Sequence, residues 1–239
     1  MRRDEYLAAL GIDVFRLRDA GAPSGGAASP PGAAGAPPES VAVAAAVPEQ
    51  APGTMDWERL AAAVSVCTRC ELHRGRTQTV FGVGRRDADL LVIGEAPGAE
   101  EDRQGEPFVG RAGQLLNAML RAIGLDRGAV YIANILKCRP PGNRDPRPEE
   151  VLCCTPYLER QIELVAPRAV LAVGRIAAQR LLQSDQAIGR LRGRALSFGA
   201  ARIPVVVTYH PAYLLRTPQA KAKAWQDLCL VRRLITNGQ

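Results

Sequence analysis

Four short, almost unbroken apolar runs, at 89–93, 130–134, 169–173 and 203–208, are separated by stretches whose apolar residues recur every three or four positions. A run this short and this apolar reads as a strand buried on both faces, whereas the longer spacing puts apolar side chains on one side of a helix. That spacing predicts helices over 112–123, 148–165, 175–182 and 219–234. Upstream, Asp56 can cap a helix carrying Trp57, Leu60, Ala61 and Val64 on one face. Strands alternating with helices pair in parallel and are covered on both sides. The expected fold class is α/β: a three-layer α/β/α sandwich with a central four-stranded, mostly parallel sheet.

The N-terminal quarter breaks this rhythm. Residues 1–18 set Leu7, Leu10, Ile12, Phe15 and Leu17 among charges, the pattern of a short amphipathic peptide that can bind a partner. Residues 19–55 are dominated by Ala, Gly and Pro and hold too little apolar surface to offset the entropy of ordering. The expected organisation is a partner-binding peptide (1–18), a disordered tether (19–55) and one folded domain (56–239).

With 239 residues, 47% of them apolar, the chain can bury a sizeable core, and a net charge of +7 favours a polyanionic partner. No run approaches the roughly 18 apolar residues of a membrane span. The basic start Met1-Arg2-Arg3 is followed by Asp13 and Arg16 instead of the apolar stretch of a secretion signal. The protein is therefore expected in the cytoplasm, away from membranes and as a monomer.

Two groups of residues carry candidate chemistry. The first is the segment 94–117, GEAPGAEEDRQGEPFVGRAGQLLN, between the first strand and the first helix of the α/β pattern. It holds Glu95, Glu100, Glu101, Asp102, the stiffening Pro97 and the aromatic Phe108, in a loop at the carboxyl end of a parallel strand, where ligands bind. Asn134 and His210 close the second and fourth strands and open on the same edge.

The second group is the cysteines. Cys67 and Cys70 form a C-x-x-C pair at the end of a helix, and Cys138 follows the second strand. On the helix opening at Pro148, Cys154 shares a face with Val151, Leu158, Ile162 and Val165, while Cys153 is turned away by about 100°. Four thiolates suit zinc and an iron–sulfur cluster equally. Cys153 and Cys229 remain as packing residues.

The fragments Gly94-Glu95-Ala96-Pro97-Gly98, Glu101-Asp102 and Pro107-Phe108-Val109-Gly110-Arg111-Ala112-Gly113 resemble the first motif of the family 4 uracil-DNA glycosylases, and His210-Pro211-Ala212 resembles their last. The resemblance covers roughly 57–234 and departs at Ala99, where an acidic residue is common. It implies a [4Fe–4S] cluster on Cys67, Cys70, Cys138 and Cys154, in preference to zinc. It also implies excision of uracil from double- and single-stranded DNA.

Under that resemblance Glu95, Ala96, Phe108, Asn134 and His210 bind the flipped base. Glu95 and His210 are catalytic, with Glu101 and Asp102 as fallback carboxylates for the water. Arg139, Arg144 and Arg147 fit phosphate contacts, with Arg216 on a further phosphate and Leu214 as a wedge into the vacated stack. A relative that traps uracil covalently has Gln after the first-motif Glu and a basic loop with a nucleophilic His. Ala96 and the His-free RPPGNRDP here imply turnover. Residues 1–18 resemble the N-terminal peptide of the clamp-loader psi subunit, implying recruitment to the replicative clamp loader. A non-catalytic iron–sulfur or zinc DNA-binding module accounts equally for the cysteines and the charge, and a C-x-x-C redox enzyme is a weaker alternative.

Overall fold

The computed structural model describes residues 51–236. The partner peptide expected at 1–18 and most of the tether expected at 19–55 lie outside the described residues. The last tether residues are described: Met55 packs with Leu60, Val64 and Tyr157, and Arg160 Nε donates to its carbonyl at 2.7 Å. Helix α1 (Trp57–Ser65) follows, with the Arg59 amide donating to Asp56 Oδ1 at 2.9 Å as its cap.

Four parallel strands form the centre: β2 (Leu90–Gly94), β3 (Tyr131–Asn134), β4 (Ala169–Val173) and β6 (Ile203–Thr208). The sheet has six strands, not four. A two-residue strand, β1 (Val83–Gly84), pairs antiparallel with β3, and β5 (Ala195–Phe198) pairs antiparallel with β6, giving the order β1-β3-β2-β4-β6-β5. Both additions are edges. Neither has a continuous apolar run, because β1 is short and β5 alternates exposed with half-buried residues.

Alternation along each strand divides the core in two. Leu91, Ile93, Ala133, Val170 and Val205 face α4 (Pro148–Val165) and α5 (Arg175–Leu181), through Leu158, Ile162 and Leu181. Leu90, Val92, Ile132, Leu171 and Val206 face α3 (Arg111–Ala122), α7 (Pro211–Arg216) and α8 (Lys221–Thr236), through Leu116, Leu120, Leu214 and Leu228. This is the three-layer sandwich. Two short helices, α2 (Ala99–Gln104) and α6 (Ile188–Leu191), complete the set, and no described helix is long and apolar enough to cross a membrane.

Candidate active site and thiol cavity

Parallel strands β2, β3 and β6 end on one edge, and the residues that follow them line a cavity of about 510 Å³. Glu95, Ala96, Phe108, Asn134, Arg144, His210 and Arg216 all contribute to it. Glu101 and Asp145 also line it.

Gly94 makes the convergence of two of these side chains physically possible. A Cβ there would lie 2.4 Å from Asn134 Oδ1 and 2.6 Å from Phe108 Cζ, so only glycine leaves room for both. Phe108 itself adopts φ 55°, an unusual conformation for a non-glycine residue, and its carbonyl closes on Gly113, where a Cβ would come within 1.8 Å. Glu101 holds this strained bend. Its carboxylate accepts from the amides of Val109 at 3.0 Å, Gly110 at 3.2 Å and, at the other oxygen, Gly98 at 3.2 Å.

Glu101 therefore braces the loop, and its oxygens are committed to backbone amides. The other fallback carboxylate is absent from the cavity: Asp102 is buried and both its oxygens accept from the Thr77 amide. Glu95 is the free carboxylate. Burial pushes its pKa up to about 7, with Asp145 adding to the rise and Arg175 opposing it.

Asn134 is 2% exposed, and its Oδ1 has no hydrogen-bond partner among the described residues. A buried acceptor without a donor is rare and marks a place where a ligand supplies one. His210 caps α7, its Nδ1 accepting from the Ala212 amide at 3.2 Å. That bond puts the ring proton of the neutral imidazole on Nε2. Burial, helped by Arg216 and opposed by Glu101, lowers the His210 pKa to about 4, so the ring is neutral at physiological pH. The Phe108 and His210 rings stand 5.7 Å apart and 30° from parallel.

Leu214, expected as a wedge, is 1% exposed and packs in the core beneath α7. The segment is helical from Pro211, which turns Leu214 toward the sheet. Tyr213 is the aromatic of that turn that lines the cavity, 39% exposed and stacked on Tyr209 at 5.1 Å. Arg192 lies 5.6 Å over the other member of the pair, Tyr209, and is itself paired with the fully buried Asp227. The apolar pattern alone favours Leu214 over Tyr213, because it does not show which of the two the helix from Pro211 turns outward.

The arginines divide as well. Arg144 is committed to a two-pronged ion pair with Glu150, whose side chain is 4% exposed. Arg139 Nε donates to Asn143 Oδ1 at 2.8 Å, while Arg147 is exposed and has no side-chain partner among the described residues. Arg175, which sequence reasoning did not single out, pairs with Asp145 at 2.8 Å.

Cys67, Cys70, Cys138 and Cys154 line a second, small cavity, together with Cys153. Cys153 Sγ lies 3.2 Å from the Arg69 carbonyl, so it is not simply turned away. Cys229 lies elsewhere, half-buried on α8. Arg76 Nη1 donates to Cys138 Sγ at 3.2 Å and the Lys137 amide to Cys154 Sγ at 3.4 Å. Among the described residues no three Cys, His, Asp or Glu side chains are arranged as a ready-made site for a metal ion.

The chain matches the uracil DNA glycosylase superfamily over residues 81–229. It is 45% identical to a type-4 uracil-DNA glycosylase of Archaeoglobus fulgidus over 179 residues, 72% of this chain and 90% of that protein. A type-4 uracil-DNA glycosylase of Pyrobaculum aerophilum is 40% identical over 182 residues, covering 74% of this chain and 93% of its own length. One from Thermotoga maritima is 44% identical over 154 residues, 64% of this chain and 80% of that protein.

Proposed function

The chain belongs to the type-4 uracil-DNA glycosylases of the uracil-DNA glycosylase superfamily and removes uracil from DNA in repair, and from that premise we propose how its residues divide the work. The observation that carries the proposal is the orphaned Oδ1 of Asn134 in a cavity shared with Phe108 and His210. Uracil offers an N3–H donor beside its O4 acceptor, so the Asn134 amide meets both at once. Cytosine presents an N3 acceptor and an N4 donor, which leaves buried polar groups unpaired at a cost of about 1–3 kcal/mol each.

The target bond is inaccessible in a duplex, so the nucleotide is extruded into the cavity and the base stacks on Phe108. The C1′–N1 bond then breaks with its electron pair leaving on uracil, where O2 takes up negative charge. Neutral His210 donates its Nε2–H to O2 without giving up the proton. A water attacks C1′, and the Glu95 carboxylate orients it and accepts its proton. The Glu95 and Ala96 amides flank the uracil edge. Tyr213, backed by Tyr209 and Arg192, takes the place expected for Leu214 in the gap left by the base. Arg147 and Arg216 meet phosphates, with Arg139 beside them.

The four cysteines fit a [4Fe–4S] cluster by the chemistry of the donor set. Four thiols from three chain segments meet in one cavity, with N–H donors on two sulfurs and Arg76 and Lys137 nearby to balance thiolate charge. Zinc also takes four thiolates, and the cluster is preferred on the family resemblance of the four cysteine positions. When bound, it supplies a crosslink that fixes both ends of the 138–154 loop and is not needed for proton or electron movement in the reaction.

The protein acts as a monomer on double- and single-stranded DNA, in the cytoplasm. Residues 1–18, at the end of the tether, recruit it to the clamp loader; equal pull-down by a chain lacking them contradicts this. Release of free uracil from a uracil-containing oligonucleotide tests the function as a whole, with a protein that binds DNA and releases nothing as the opposing result.

A further inference from the structure

Lys137 is 1% exposed and, beyond its nearness to the cysteines, has no part in the reaction steps described above. Its Nζ donates to the Asn134 carbonyl at 3.0 Å and to Gln161 Oε1 at 2.6 Å. Gln161 is itself fully buried and cannot turn its amide freely, because Nε2 donates to the Phe81 carbonyl at 3.0 Å and to the Tyr131 hydroxyl at 3.3 Å. The ammonium is therefore held between two fixed acceptors. Burying a charged group is costly, and an apolar side chain of similar volume fills space at less cost. Packing alone does not account for a lysine here.

The turn that Lys137 closes carries more than one site residue. Between Asn134 and Lys137, the amides of Ile135 and Leu136 donate to the carbonyls of Gly94 at 2.9 Å and Glu95 at 3.0 Å. The Lys137 amide reaches Cys154 Sγ on the far side. The Asn134 acceptor, by contrast, has no partner among the described residues to hold it in place. Its aim has to be set from the backbone side.

We infer that Lys137 is a positioning residue for uracil recognition, gripping the Asn134 carbonyl so that the Asn134 amide stays aimed into the cavity, and linking that aim to the four-cysteine cavity through Cys154. The inference rests on the uracil-reading role proposed for Asn134. Lys137 touches neither base nor sugar and acts entirely through its neighbour.

A double-mutant cycle on the holoprotein separates this from a general loss of stability. Excision is followed under single-turnover conditions in wild type, Lys137→Met, Asn134→Ala and the double variant, on preparations matched for visible absorption. Lys137→Met lowers the rate about tenfold in the wild-type background, the scale of one lost charge-assisted hydrogen bond. In the Asn134→Ala background the same change lowers it by less than about twofold, the margin within which independent effects add. Equal losses in both backgrounds, or no loss in either, overturn the inference. If Lys137→Met does not fold, Lys137→Leu, which also fills the site without a donor, carries the same cycle. If neither variant is soluble, the lysine belongs to the fold and the inference fails. A wild type that releases no uracil contradicts the functional reading instead.

Discussion

Phe108 rests in space that Gly94 leaves empty: a Cβ on residue 94 would stand 2.6 Å from Phe108 Cζ. The same Cβ would stand 2.4 Å from Asn134 Oδ1, so one glycine lets the stacking ring and the reading amide approach each other. Gly94→Ala is expected to displace both groups and to lower kcat/KM by about 100-fold, the loss that follows a misplacement of about 1 Å. Single-turnover excision beside a melting curve checks this. A variant with wild-type kinetics would show that the cavity tolerates the methyl group.

Glu95 titrates in the functional range. Its folded pKa, raised to about 7, means that the native state holds a proton the unfolded chain has lost between pH 4.5 and 7. Stability from this group therefore falls as pH rises through that window, while the carboxylate needed for the water appears. The excision rate is expected to rise with a midpoint near pH 7, and Glu95→Gln to abolish the rise while stabilising the protein at pH 8. His210 works in the opposite sense. Its folded pKa, lowered to about 4, makes the protein lose stability as pH falls from about 6.5 toward 4. A pH–rate profile for wild type and Glu95→Gln decides; a rate that is flat from pH 6 to 8 removes Glu95 from the water step.

Arg144 and Arg147, three residues apart, should respond differently to alanine. Arg147→Ala removes one exposed cation and is expected to reduce the slope of log affinity against log salt by about 0.9 on duplex DNA, with melting unchanged. Arg144→Ala strands the buried Glu150 carboxylate and should lower the melting temperature. Salt titrations of DNA binding and thermal melts of the two single variants measure both effects. Interchanged results would mean that the Arg144–Glu150 pair opens to bind phosphate.

Tyr213→Ala is expected to slow excision from duplex more than from single strands, since only the duplex has a stack to hold open. Leu214→Ala empties a core site and is expected to cost about 2–5 kcal/mol, with equal effect on both substrates. Rates on paired duplex and single-stranded oligonucleotides test the assignment. A Tyr213→Ala protein with equal losses on both has lost something other than a wedge.

Cys154→Ser should remove the visible absorption of an iron–sulfur cluster and lower the melting temperature, because the 138–154 loop loses one of its anchors. Cys229→Ser should change neither. Spectra and melts of the two variants provide the comparison, and a colourless wild type that contains zinc would reverse the choice of metal.

Much of this was legible because buried parallel strands are written as continuous apolar runs. β4 and β6 occupy the residues the pattern predicts, 169–173 and 203–208. The edge strands were not legible, since a two-residue ladder and an alternating, half-exposed strand produce no such run. Helix α2 was hidden in an acidic loop, because its six residues, AEEDRQ, carry no apolar periodicity, and Glu101 accepts from the distant amides of Val109 and Gly110. Residue type and position beside the motifs make Leu214 and Arg144 candidates for DNA contact, but burial and an ion pair decide what each can touch. The grip of Lys137 on Asn134 depends on Gln161, 24 residues further along the chain. No local pattern shows such a contact.

The most direct measurement is alkaline cleavage of matched oligonucleotides containing one uracil or one cytosine, after incubation with wild type and with Asn134→Ala. Wild type is expected to yield breaks at uracil alone, and Asn134→Ala to lose most of that activity while keeping its visible absorption and its affinity for undamaged DNA. Intact strands with wild type, or undiminished cleavage by Asn134→Ala, would contradict the account.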